Sequence, residues 1–167
     1  MNHKRLLSSL TLAVIGMQPL GAAVAAEASS VSDMFTGGSA STAFRYRYES
    51  VDQDGIDKQA NASTLKSRLT WTSATYKDFK TVLEFDNVTV IGGENYKTPT
   101  NGKAGYPIVA DPKGTDVNQA YIHHQSSDLS ATLGRQRILH GGQRFVGGVG
   151  WRQNEQTFDA LRLTLPD

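Results

Sequence analysis

Between Gly134 and Leu163 the chain sets five arginines among six glycines, GRQRILHGGQRFVGGVGWRQNEQTFDALRL. Arginine stays charged at every accessible pH and grips a carboxylate or phosphate through parallel N–H donors. Glycine lets backbone approach closely or fold back on itself. Three uses suit that combination: a phosphate cradle, a nucleic-acid patch, or the lining of a path for anions. The cradle fails on spacing, because Gly147-Gly148-Val149-Gly150 does not match G-x-G-x-x-G and no Gly-Lys-Ser/Thr follows it. The nucleic-acid patch lacks a field to support it. The whole chain holds 17 Lys+Arg against 16 Asp+Glu, and Lys4 and Arg5 fall in a leader that is expected to be removed. No nucleic-acid partner is expected.

The remaining chemical candidates are thinner. Asp52-Gln53-Asp54-Gly55-Ile56-Asp57 has part of a calcium loop but lacks its closing Glu, and reads better as an Asp-Gly hairpin tip. His123 and His124 are strand neighbours pointing to opposite faces, so they cannot share one metal. His140 lies among glycines with no matched Ser or Asp spacing for a hydrolase triad. The expectation is a protein without enzyme activity, metal or cofactor.

These residues need elements to position them. Residues 1–26 carry the three parts of a secretory signal peptide: Lys4 and Arg5, an apolar run from Leu6 to Ile15, and Ala23-Val24-Ala25 for cleavage after Ala25 or Ala26. The chain has no cysteine, so the exported product has no disulfide framework. From residue 27 onward the pattern has period two. Phe44, Tyr46 and Tyr48 oppose Arg45, Arg47 and Glu49; Leu65, Leu69 and Trp71 oppose Lys66, Arg68, Thr70 and Thr72; Phe79, Leu83 and Phe85 oppose Lys80, Glu84 and Asp86. Weaker alternation at 118–125, 129–134 and 158–165 gives about six strands. Short links at 76–78 and 126–128 alternate with long ones at 52–62, 91–115 and 138–156. Outer-membrane barrels segregate short turns and long loops in this way, with an apolar face toward lipid and a polar face lining a lumen. The expected fold is therefore an all-β antiparallel transmembrane barrel. A secreted soluble β-sandwich that binds carbohydrate or another ligand is the alternative, with its charged faces in bulk water.

Four motifs in order narrow the choice: Gly134-Arg135-Gln136; Gly142-Gln143-Arg144-Phe145-Val146-Gly147; Trp151-Arg152-Gln153-Asn154; and Phe158-Asp159-Ala160-Leu161-Arg162. Together they resemble the alginate-export family of outer-membrane β-barrel channels, and the resemblance extends over the upstream strands. It implies a porin-like channel for anionic saccharides or other small anions, seated in outer-membrane lipid by the barrel-assembly machinery. It also implies an electropositive constriction built from Arg135, Arg144 and Arg152 with Asp159 as acidic partner. Lumen-facing Arg45, Arg47, Lys66 and Arg68 would extend the path. Strict alternation from Leu129, Ala131 and Leu133 places Arg135 and Arg137 on the lipid face instead. A bulge at Gly134, or the barrel rim, would turn Arg135 inward. A plainer role is also open, in which the arginines pair with Glu155 and Asp159 to order a loop. Six strands are fewer than the roughly eight that close the smallest single-chain barrels. Residues 27–167 are accordingly expected to be the N-terminal portion of a channel, unable by itself to conduct or insert stably.

Overall fold

The structure, a computed structural model, describes residues 8–10 and 27–165. Its elements are β1 (Ser8–Leu10), α1 (Val31–Thr36), β2 (Ser39–Val51), β3 (Ala60–Thr72), β4 (Phe79–Val90), β5 (Gly114–Gln125), β6 (Ser130–Gln136) and β7 (Phe158–Thr164). The strands form one open antiparallel sheet in chain order. All six expected strands, β2 to β7, are present. β1 adds three residues against Tyr48 to Ser50; the rest of the expected signal peptide lies outside the described residues. The one helix was not foreseen. Ser30 caps it by accepting the Asp33 amide at 3.1 Å, and its Phe35 stacks on Trp71 at 5.9 Å.

The two faces of the sheet are inverted relative to a water-soluble sheet. The side over which the long loops fold, here called inward, carries the charged half of each alternation. Arg47 and Glu84 are only 2% and 4% exposed, whereas Leu133 and Leu161 on the outward side are 58% and 62% exposed. Phe44, Tyr48, Leu69, Phe85, Val117 and Ile122 share that outward face. Among the described residues no second sheet covers it, as a sandwich would require. Apolar outside and polar inside is the polarity of a barrel wall in lipid.

The link lengths follow from local chemistry. Lys77 and Asp78 both take positive φ, 47° and 66°, and Tyr76 and Phe79 exchange two backbone hydrogen bonds across them. This two-residue geometry matches the twist of the flanking strands. Ser126 closes the second short turn with a bond from its amide to the Leu129 carbonyl, 2.9 Å. The long loops sit at the opposite end, and two of them fold back over the inward face.

The loop at 91–113 is held by a small apolar core of Val51, Ala60, Ala62, Tyr96 and Val109. Tyr96 is fully buried, and its phenol oxygen has no hydrogen-bond partner among the described residues. Burial, with Glu94 and Asp111 nearby, pushes that phenol up to about 12. A buried hydroxyl without a partner loses its hydration for no return. Tyr96→Phe is therefore expected to leave the melting temperature unchanged or raise it, while Tyr96→Ala should cost on the order of 4 kcal/mol. Parallel thermal melts in detergent check both.

Candidate functional site

The second inward loop, residues 137–157, meets the sheet through ion pairs. Arg68 grips Asp86 with two donors, Nε–Oδ1 at 2.7 Å and Nη2–Oδ2 at 2.6 Å, and reaches Glu155 at 2.6 Å. Lys66 lies 3.5 Å from Glu155 and 3.8 Å from Asp86. Arg137 Nε binds Glu155 at 2.5 Å, and another of its nitrogens binds Glu84. Glu155 thus draws three cations onto one loop carboxylate. Burial alone would raise its pKa, but the hydrogen bonds from Arg137 and Arg68 prevail and hold it at about 2.

A neighbouring set closes around Arg47, which binds Glu49 at 2.6 Å, Asp111 at 3.3 Å and the Trp151 carbonyl at 2.8 Å. Arg152 shares Glu49 at 3.0 Å and lies over the Trp151 ring, 4.0 Å from its centroid. Gln153 is the peg between loop and sheet. Its Oε1 accepts from Arg45 Nε at 2.9 Å, its Nε2 donates to Thr64 Oγ1 at 2.9 Å, and its amide donates to Asp111 at 2.8 Å. Arg45 also donates to the carbonyls of Gly150 and Arg152.

Arg45, Arg47, Lys66 and Arg68 therefore share the side of the sheet over which the loops fold, and Arg152 joins them. Arg144 does not; it is exposed in the glycine-rich loop and makes no hydrogen bond or ion pair among the described residues. Arg135 and Asp159 stand apart from the cluster. They pair with each other at 2.9 Å on the outward face, 42% and 68% exposed, in continuous β6–β7 register. The bulge considered at Gly134 is absent there. Strict alternation holds through Arg135, and only Arg137 turns inward, because β6 ends at Gln136.

A register shift occurs instead between β4 and β5, where Phe85 pairs Val117 and Glu84 pairs Gln119. The extra residue, Asn118, is turned inward and donates to Glu84 at 2.7 Å and Glu155 at 3.3 Å. Gln153, Asp111 and Asn118 are the members that sequence reasoning did not place. Glu155 was named there as an arginine partner that orders the loop, and it is the lone acid of residues 137–157.

A single sheet with an apolar outside, a charged inside and loops folded into that inside is a segment of wall from a membrane β-barrel channel. The chain belongs to the alginate export family, whose model matches residues 38–166. That family is one of outer-membrane export channels. Neither a curated protein nor a solved structure matches the chain.

Proposed function

We propose that this chain forms wall and lumen lining of an outer-membrane channel that passes anionic saccharides or other small anions. One observation carries the reading. Of the basic residues within β2 to β7, Arg45, Arg47, Lys66, Arg68, Lys80 and Arg162 are on the inward face, and only Arg135 faces outward. Rings of basic side chains favour anions in pores. The carboxylates Glu49, Glu84, Asp86, Asp111 and Glu155 pair with Arg47, Lys66, Arg68, Arg137 and Arg152. That leaves Lys80 and Arg162 toward the short turns, and Arg45 and Arg144 at the loop, without a carboxylate partner among the described residues. Arg45, Arg47, Lys66, Arg68 and Arg152 then work mainly as struts that hold the loop in the lumen, and Arg144 is a candidate contact for solute at the loop tip. The outward face of Phe44, Leu69, Phe85 and Leu133 meets lipid, and the barrel-assembly machinery is the expected partner in folding.

The test is the reversal potential of the gene product, extracted from outer membranes and placed in a planar bilayer under a KCl gradient. The expected result is a potential on the anion-selective side. Cation selectivity, or a protein that fractionates with soluble periplasmic contents, would overturn the reading.

A further inference from the structure

The glycine-rich part of the loop at 137–157 is folded tightly onto itself. Backbone bonds run from His140 N to Val146 O, from Arg152 N to Val149 O and from Gln156 N to Gly148 O, at 3.1, 3.0 and 2.9 Å. A Cβ on Gly147 would stand 2.8 Å from Gln143 Cβ, so only glycine lets these two limbs of the loop touch. Gln143 and Val149 both hold positive φ, 58° and 50°. That conformation is uncommon for any side chain and rarest for a β-branched one, and it persists only where surrounding contacts enforce it.

This scaffold presents a surface unlike the network that fixes it to the sheet. A cleft of ≈600 Å³ opens in the loop, lined by Gln143, Arg144, Phe145, Val149, Trp151 and Gln156 with glycine backbone between them. Small-molecule sites span about 300–1,000 Å³. Trp151 is held in place: Arg152 and Arg47 lie 4.0 and 5.1 Å from its ring centroid, and its carbonyl accepts from Arg47. The indole is nevertheless 60% exposed, and Phe145 is 92% exposed with no ring partner among the described residues. Of the loop's three arginines, Arg137 and Arg152 are paired with carboxylates. Arg144 has no such pair among the described residues, and no acid lines the cleft.

The cleft thus sets one uncommitted guanidinium beside two aromatic rings and a valine. A hydroxylated sugar displays donors and acceptors around its whole rim, more than two side-chain amides can answer. Chloride or acetate would leave the rings uncovered. A carboxylate carried on a flat apolar ring answers both demands, with charge for the guanidinium fork and a face for the aromatics. We infer that this cleft binds aromatic monocarboxylates of the benzoate type, with Arg144 gripping the carboxylate and Phe145 and Trp151 covering the ring. The inference deepens the channel reading by naming a solute class, and it rests on that reading for the cleft's place in a solute path.

Equilibrium dialysis of the detergent-solubilised gene product against matched empty micelles tests it without requiring conduction. Benzoate should bind saturably and more tightly than acetate, which lacks the ring, and than benzyl alcohol, which lacks the charge. It should also outbind galacturonate, whose ring is hydroxylated. Arg144→Gln should weaken benzoate about tenfold or more, and Phe145→Ala about threefold or more. Neither side chain has a partner to lose, so both variants should melt like the parent. Benzoate that fails to saturate, that galacturonate matches, or that both variants bind as the parent does would overturn the cleft and leave the reversal potential as it was. Benzoate binding in the expected order beside a cation-selective current would sustain the cleft and count against the channel reading alone.

Discussion

Glu155→Gln should free the loop at 137–157 from the sheet. The substitution keeps the shape but removes the charge that Lys66, Arg68 and Arg137 share, and leaves those cations crowded around Glu84 and Asp86. Breaking a buried pair from one side costs about 3–5 kcal/mol. Linkage gives a similar figure. With a free value of 4.5 and a folded value of about 2, the depressed pKa corresponds to about 3 kcal/mol. The sign is fixed by the direction of the shift. The stabilisation is complete above about 4.5 and is lost as pH falls from there through about 2, so the loop should stay latched at any pH near neutrality. Trypsin offers a direct readout. Arg144 is already exposed, whereas the Arg152 side chain is 17% exposed and paired. Cleavage after Arg152 should appear in the variant and not in the parent at the near-neutral pH where trypsin works. A variant that resists trypsin at Arg152 and melts like the parent would show that Gln153 and Asp111 hold the loop unaided.

Gly134→Ala is expected to be the most damaging single-methyl change in the sheet. Gly134 has φ 122°, a conformation side chains rarely adopt, and a Cβ there would stand 2.3 Å from the Ala120 carbonyl oxygen and 2.9 Å from Tyr121 Cα. Both obstacles are backbone of β5, so no rotamer relieves them. Strain and overpacking together should cost on the order of 4 kcal/mol and part β5 from β6. Gly102→Ala is the matched control. It also has positive φ, 67°, but its Cβ meets nothing within 4 Å, so its cost should stay near about 1 kcal/mol. Thermal melts compare the two, and amide exchange should localise the Gly134→Ala defect to β5 and β6.

The strands were legible because aromatic and charged residues alternate with high contrast, as in Phe44 to Glu49. Their ends were drawn short where the contrast fades. Ser39 to Thr42 and Ala60 to Thr64 are small residues that show no period, yet they pair fully with neighbours. The inward placement of Arg45, Arg47, Lys66 and Arg68 followed from the same alternation. What those arginines hold did not, since Asp111, Gln153 and Glu155 come from irregular segments whose path no period describes. Arg135 shows the converse. Its motif suggested a lumen role, but the local alternation through Leu133 placed it outward, and the β6–β7 register agrees with the alternation. The Asn118 irregularity left no mark in sequence, because one extra residue in a strand of mixed polarity looks like ordinary noise.

The inverted polarity of the sheet bears on how such a chain crosses the inner membrane before it reaches the outer one. A translocating polypeptide is halted by a continuous apolar stretch of about 20 residues, the length of a membrane-spanning helix. Here most apolar residues of the outward face are separated from the next by a polar residue of the inward face. No described helix is long and apolar enough to act as a stop-transfer signal. The continuous apolar outward surface thus exists only once the strands are extended and paired; in the moving chain it is diluted one residue in two, and the described strands offer the translocon no continuous apolar stretch to release sideways.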